Sequence, residues 1–189
     1  MPLPTYQSCP WCKYAFKSIG QHWVHNTRHA PEATKRQQDI LTALLLGTGA
    51  YTGPLESPSV AVDIGKERTA EWLEDELESL VVSVDSHERF YRLKTPSNPA
   101  LRRYFQNWYS MQDQPEPPST TILTPLIASV WFAVNGETRD NGAVHLKASY
   151  KTRNLGWHLE LFREEGFNPW REDPRLVFPV EQVDDLVEY

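Results

Sequence analysis

Long apolar runs are missing from this 189-residue chain. The longest clear one, Leu41 to Leu46, falls far short of a membrane span, which needs roughly 18 residues. The N-terminal Met1-Pro-Leu-Pro-Thr-Tyr6 has no charged segment leading into an apolar one, so no secretory leader is expected. The chain reads as a soluble, cytoplasmic protein without a membrane partner. Cysteine is scarce as well. Only Cys9 and Cys12 occur, too close together for a long-range staple, which leaves a redox pair or half of a metal site. No βαβ pattern surrounds them, so a thioredoxin-like role is disfavoured. Basic charge is in the minority: 19 Lys and Arg stand against 25 Asp and Glu, for a net charge of −6. That excludes blanket attraction to nucleic acid but leaves room for a local basic patch. No nucleophile motif frames a Ser/His/Asp set, and Gly47-Thr-Gly49 lacks the length and the lysine of a phosphate loop. His145 and His158 stand alone and read as structural. Apolar side chains, in contrast, are plentiful: 40% of residues are hydrophobic, 12% aromatic, and seven are Trp. A chain of this length buries roughly 70% of its unfolded surface, so neither a disordered tail nor a staple-dependent miniprotein is expected.

The two cysteines are followed by histidines at telling intervals. Cys9-x2-Cys12-x12-His25-x3-His29 is the spacing of a C2H2 zinc finger, with Phe16 at the core-aromatic position. A helix from about 18 to 28 puts His22, His25 and His29 on one face. Spacing favours His25 and His29 as ligands, with His22 as the alternative. Four protein ligands leave no open coordination position, so Zn2+ here is expected to be structural, its binding supplying the folding energy of a segment too short for its own core. The finger occupies residues 1–31. Pro31 ends the helix and Ala30 to Arg36 forms a linker. Residues 1–39 carry Lys13, Lys17, Arg28, Lys35 and Arg36 against Glu32 and Asp39, a charge suited to nucleic acid.

Beyond the linker lie two segments that are hydrophobic nearly all round, the mark of buried helices. Leu41-Thr-Ala-Leu-Leu-Leu-Gly-Thr-Gly49 and Leu123-Thr-Pro-Leu-Ile-Ala-Ser-Val-Trp-Phe-Ala-Val-Asn-Gly136 both end in Gly, which commonly stops a helix in a left-handed turn. Each is followed by a turn, strand-like alternation and an amphipathic helix. In the first half the strands are 59–64, 81–84 and 89–94 and the helix is 69–80. In the second the strands are 142–150 and 175–178, the helix 154–165, and 180–189 forms a closing helix. A Tyr/Trp-rich helix over 99–110 and the polar, proline-rich stretch 112–119 join the halves.

This ordered set resembles the LAGLIDADG homing endonucleases, and most of all a branch from haloarchaea and their viruses with an N-terminal zinc finger. The two apolar helices are similar to the family's signature helices, and Tyr91-Arg-Leu-Lys-Thr-Pro-Ser-Asn-Pro-Ala-Leu101 with Trp108-Tyr-Ser110 resembles the joining segment. The resemblance implies an α+β, pseudo-twofold LAGLIDADG-like fold of two αββαββα repeats (38–111 and 120–189) preceded by a small zinc finger. It also implies that a monomeric unit presents its sheets to double-stranded DNA. In the family an acidic residue just before each terminal Gly holds divalent metal for phosphodiester cleavage. Here those positions are Thr48 and Asn135, neither charged. Neutral oxygens make a poor Mg2+ site, so Mg2+ is not expected, and Glu137 and Asp140 are the nearest substitutes. Gln114-Pro115 and Asn98-Pro99 stand where the family often carries a basic residue and a His before proline. The expectation is a degenerate pseudoenzyme: a DNA-binding protein without cleavage activity. The basic clusters Arg89/Arg92/Lys94 and Lys147/Lys151/Arg153 are its expected DNA contacts. An active site-specific endonuclease using substitute ligands is the first alternative. The second is a structural protein of a virus particle or other large assembly, and recognition of structured RNA is a narrower variant of the DNA reading.

Overall fold

A computed structural model of the chain describes residues 6–54, 56–108, 117–148 and 155–189, except the side chains of Val187 and Glu188. Two compact units emerge. One holds Met1–Gln37 and Ala50–Gln106, the other Gln38–Gly49 and Asn107–Tyr189.

The first unit begins with a small ββα element. Strands β1 (Gln7–Ser8) and β2 (Ala15–Phe16) pair antiparallel. Between them the Cys9 amide donates to the Tyr14 carbonyl at 2.9 Å and the Lys13 amide to the Cys9 carbonyl at 2.9 Å. Lys13 takes a left-handed φ of 63° to close this knuckle. Helix α1 (Ile19–His25) follows and stops at Asn26, whose φ of −133° and ψ of 67° are not helical. A separate 3-10 turn then spans Thr27–His29. The single helix expected over 18–28 is thus two pieces. Cys9, Ile19, Trp23 and Ala30 form the element's core, and Phe16, Val81 and Ala100 pack against it. Because Val81 and Ala100 come from the following repeat, this core is shared. Gly20 makes the close approach possible: a Cβ there would lie 2.9 Å from the Ser97 amide nitrogen. Asn98, 1% exposed, completes the join by donating to the Pro31 carbonyl and accepting from the Ala100 amide, both at 2.9 Å.

The repeats have the same element order. The first runs α2 (Lys35–Leu46), β3 (Ala50–Thr52), β4 (Ser59–Ile64), α3 (Glu67–Glu76), β5 (Ser83–Ser86), β6 (Tyr91–Lys94) and α4 (Arg102–Trp108). The second runs α5 (Pro125–Asn135), β7 (Gly136–Thr138), β8 (Val144–Lys147), α6 (Gly156–Glu164), β9 (Trp170–Glu172), β10 (Arg175–Phe178) and α7 (Val183–Glu188). Their antiparallel sheets have matching orders, β3-β4-β6-β5 and β7-β8-β10-β9. Each is αββαββα. Alternation explains β4: Val60, Val62 and Ile64 are buried while Asp63 faces out. The short edge strands β3, β7 and β9 carry no such signal, and sequence periodicity passes them over.

Helix α2 leaves the first unit at Gln37, and its apolar remainder belongs to the second. There Leu41, Leu44, Leu45 and Leu46 are buried, as are Trp131, Phe162 and Phe178. Phe162 meets Phe178 edge-on with centroids 4.7 Å apart, and Trp131 donates its indole N–H to the Lys147 carbonyl at 2.9 Å. Helix α5 starts where Thr124 accepts from the Ile127 amide at 3.2 Å, with Pro125 at the first position. The terminal glycines differ from expectation. Neither Gly49 nor Gly136 is left-handed; Gly136 is extended at φ −81° and ψ 143°. Their role is steric: a Cβ at Gly136 would sit 2.6 Å from the Phe132 carbonyl oxygen, and one at Gly49 would collide with the Leu44 carbonyl.

Candidate metal centre and nucleic-acid interface

The knuckle, α1 and the 3-10 turn bring four donors together. One ligand atom each from Cys9, Cys12, His22 and His29 lies within 4.8 Å of all the others. The Cys12 Sγ is 3.6 Å from the His22 Nε2, which is 3.1 Å from the His29 Nδ1. Metal bonds of about 2.3 Å to sulfur and about 2.0 Å to nitrogen place tetrahedral ligands roughly 3.3–3.8 Å apart. The two separations among Cys12, His22 and His29 lie close to that range. His22 is further fixed by stacking on Phe16, with centroids 4.0 Å apart and planes at 13°. Burial would raise the Cys9 thiol, but the Cys12 and Trp11 backbone amides, with smaller contributions from Trp23 and Cys12, hold it below its ordinary value.

The histidine pair is His22 and His29, not the His25 and His29 that spacing favours. His25 is exposed and stands outside the group. The reason is the break at Asn26: His25 and His29 share a face only on a continuous helix, and α1 ends first. Among the described residues this is the one group of three or more Cys, His, Asp or Glu placed to hold a metal.

In the second unit, the ends of α2 and α5 meet. The Asn135 Oδ1 accepts from the Thr48 amide at 3.1 Å and from the Thr48 hydroxyl at 2.7 Å. Asn135 is 4% exposed, and its Nδ2 has no hydrogen-bond partner. A Cβ on Gly47 would collide with this amide, so glycine sets how closely the two ends approach. Thr48 thus satisfies the Asn135 amide oxygen without charge. Glu137, two residues on, is paired with Arg139 at 3.5 Å, and both it and Asp140 are exposed. Nearby, His158 is fully buried against Trp131. Burial lowers its pKa to about 4, against a smaller opposing effect of the Leu46 backbone.

The predicted DNA contacts fare unequally. On the first sheet's open face Arg92 and Lys94 are both exposed, and Arg89 is exposed in the turn before β6. Register places Asp63 and Asp85 beside Arg92. Arg92 is bidentate to Asp63 at 2.7 and 2.9 Å, and this bond keeps the Asp63 carboxyl below its usual range. On the second sheet Lys147 pairs with Arg175, but Glu172 and Glu137 share that face. Among the described residues, each open face carries two basic and two acidic strand residues, so the basic side chains expected to meet DNA stand beside carboxylates. Lys151 and Arg153 lie outside the described residues, as does Gln114-Pro115. Lys17, one of the basic finger residues noted in the sequence, lines a cleft with Lys94, a placement that the sequence does not show.

No family model matches the chain, and no curated protein matches its sequence. Solved structures do. It is similar to the homing endonuclease I-WcaI bound to its DNA recognition sequence, with TM-score 0.60 and 12% identity over 85% of this chain and 84% of that one. It is also similar to the N-terminal LAGLIDADG domain of DUF199/WhiA, with TM-score 0.53 and 9% identity over 92% of each chain. Mesophilic variants of the homing endonuclease I-DmoI give TM-score 0.54 and 11% identity over 80% of this chain and 92% of theirs. The fold is LAGLIDADG-like.

Proposed function

We propose that this chain binds double-stranded DNA through its LAGLIDADG-like repeats and does not cut it. The observation that carries the reading is the pair of hydrogen bonds that Thr48 donates to the Asn135 amide oxygen. Cleavage by divalent metal needs charged oxygens that hold the ion and stabilise both attacking and leaving oxygens. At the ends of α2 and α5 an amide oxygen is instead consumed by a hydroxyl and a backbone N–H. The structures similar to this one include an endonuclease bound to its DNA target, which supports duplex DNA as the partner. Arg92 suits base-edge contact: Asp63 fixes its fork and leaves the remaining guanidinium hydrogens to donate. Lys94 and Lys147 suit phosphates.

The Cys9, Cys12, His22 and His29 group fits Zn2+, with four ligands, soft thiolates and imidazoles, and donor atoms gathered within 4.8 Å of one another. The ion would be structural, tying the knuckle to the 3-10 turn.

Selection of duplexes from a random library tests the function. Enriched sites are expected to bind with an affinity that falls steeply as salt rises, since phosphate contacts release counterions. Failure to enrich any duplex, or affinity insensitive to salt, would refute it, and capture of folded RNA in preference would assign a different partner.

A further inference from the structure

The acid-free finger and the first repeat enclose a trough of which the duplex-binding reading uses Lys94 alone. Residues 1–31 contain Lys13, Lys17 and Arg28 and no Asp or Glu. Half of the large hydrophobic side chains left exposed among the described residues lie here, namely Tyr6, Trp11, Tyr14 and Val24, with Trp11 68% and Tyr14 72% exposed. Aromatic and basic side chains on an acid-free surface complement stacked bases and a phosphate chain.

A ββα finger reads duplex DNA from helix positions −1, 3 and 6, here Ser18, Gln21 and Val24. All three are exposed to solvent. They line a cleft of about 600 Å³ whose other side comes from the first repeat, including Thr52, Ser59, Lys94 and Ser97. The helix is held there by Gly20 against Ser97. Such a cleft sets the first repeat beside the helix, which therefore does not stand clear of the protein as a helix entering a major groove does. Its lining includes Lys17 and Lys94, two glutamines and a run of hydroxyls, and no carboxylate. Val24 and Ser57 also line a second groove of about 730 Å³, so the two adjoin. This second groove carries Trp11, Arg28 and Arg102, with Glu32 and Glu56. Lysines and hydroxyls suit phosphates, the Trp11 face suits a base, and the two glutamates suit the amino edge of a base such as cytosine.

We propose that this trough binds a single-stranded nucleic-acid segment, with the phosphate chain along Lys17 and Lys94 and an unpaired base stacked on Trp11. The proposal deepens the nucleic-acid reading above, and unpaired DNA and RNA share the required chemistry.

The test uses full-length protein purified with zinc. Fluorescence anisotropy would follow titration with a dT oligonucleotide, an rU oligonucleotide and a selected duplex. Wild-type protein is expected to bind one or both single strands, and the tighter of the two identifies the source. Trp11→Ala should weaken that binding on the order of tenfold, the loss of one stacked base, while Trp11→Phe retains most of it. Lys17→Ala should flatten the salt slope by about 0.7, one phosphate contact. Duplex affinity of the Trp11 variants should stay within twofold, which also shows that they are folded. Single-strand affinity unchanged in Trp11→Ala, or falling in step with duplex affinity, would overturn the proposal. Wild type that binds duplex and neither oligonucleotide would overturn it while leaving the duplex reading intact; binding of none of the three would remove both.

Discussion

Replacing His22 and His25 in turn separates the observed donor set from the one that spacing favours. In the structure His22 sits 3.6 Å from the Cys12 sulfur and 3.1 Å from the His29 nitrogen, whereas His25 lies outside the group on an exposed face. Structural zinc is held with roughly 10–16 kcal/mol in finger-like segments. One ligand of four then accounts for about 2.5–4 kcal/mol, a loss of affinity on the order of 10²–10³-fold. His22→Ala also removes the ring stacked on Phe16, so its cost should sit at the upper end. His25→Ala removes an exposed ring at a helix end and should change stability by roughly 0.5 kcal/mol or less. The assay is zinc per chain against a competing chelator, with thermal unfolding alongside and Cys12→Ser as the positive control. His22→Ala should resemble Cys12→Ser, and His25→Ala should resemble wild type. Zinc lost from His25→Ala and retained by His22→Ala would refute the reasoning from these distances.

Two further outcomes follow from the second unit. A double-mutant cycle with Thr48→Val and Asn135→Ala, read by denaturant unfolding, should give a coupling of about 0.5–1.5 kcal/mol for the hydroxyl bond; no coupling would mean that the helix ends do not meet. His158 titrates near 6.5 when unfolded and at about 4 when folded, so the unfolded chain binds the extra proton first. Stability should accordingly be full above pH 6.5 and decline as pH falls toward 4, by about 3 kcal/mol for a shift of this size. A His158→Phe variant that keeps the same acid slope would contradict that assignment.

Much of the architecture was legible in the chain. The knuckle announced itself because Cys9 and Cys12 are the only cysteines, and the two helices ending at Gly49 and Gly136 because each is apolar all round. The choice of histidines was not legible, since it depends on where α1 stops, and Asn26 ends it without a glycine or proline to mark the place. The balance of charge on the sheets was hidden for a different reason. Asp63 and Arg92 lie 29 residues apart and meet only through the β4–β6 register, so counting basic residues along β6 overstates the field. Gly136 directly follows α5 while α2 stops at Leu46, short of Gly49, and the cause of both glycines is backbone crowding, which leaves no trace in composition.

The proposed loss of cleavage rests on Thr48 and Asn135 meeting as neutral partners at the positions where the family resemblance implies metal-binding acids. Incubating a selected duplex with the wild-type chain and Mg2+ or Mn2+, and resolving the strands on a denaturing gel, tests it directly. Both strands should remain intact at protein concentrations that saturate binding, whereas a defined break that appears with metal and vanishes with chelator would contradict the account.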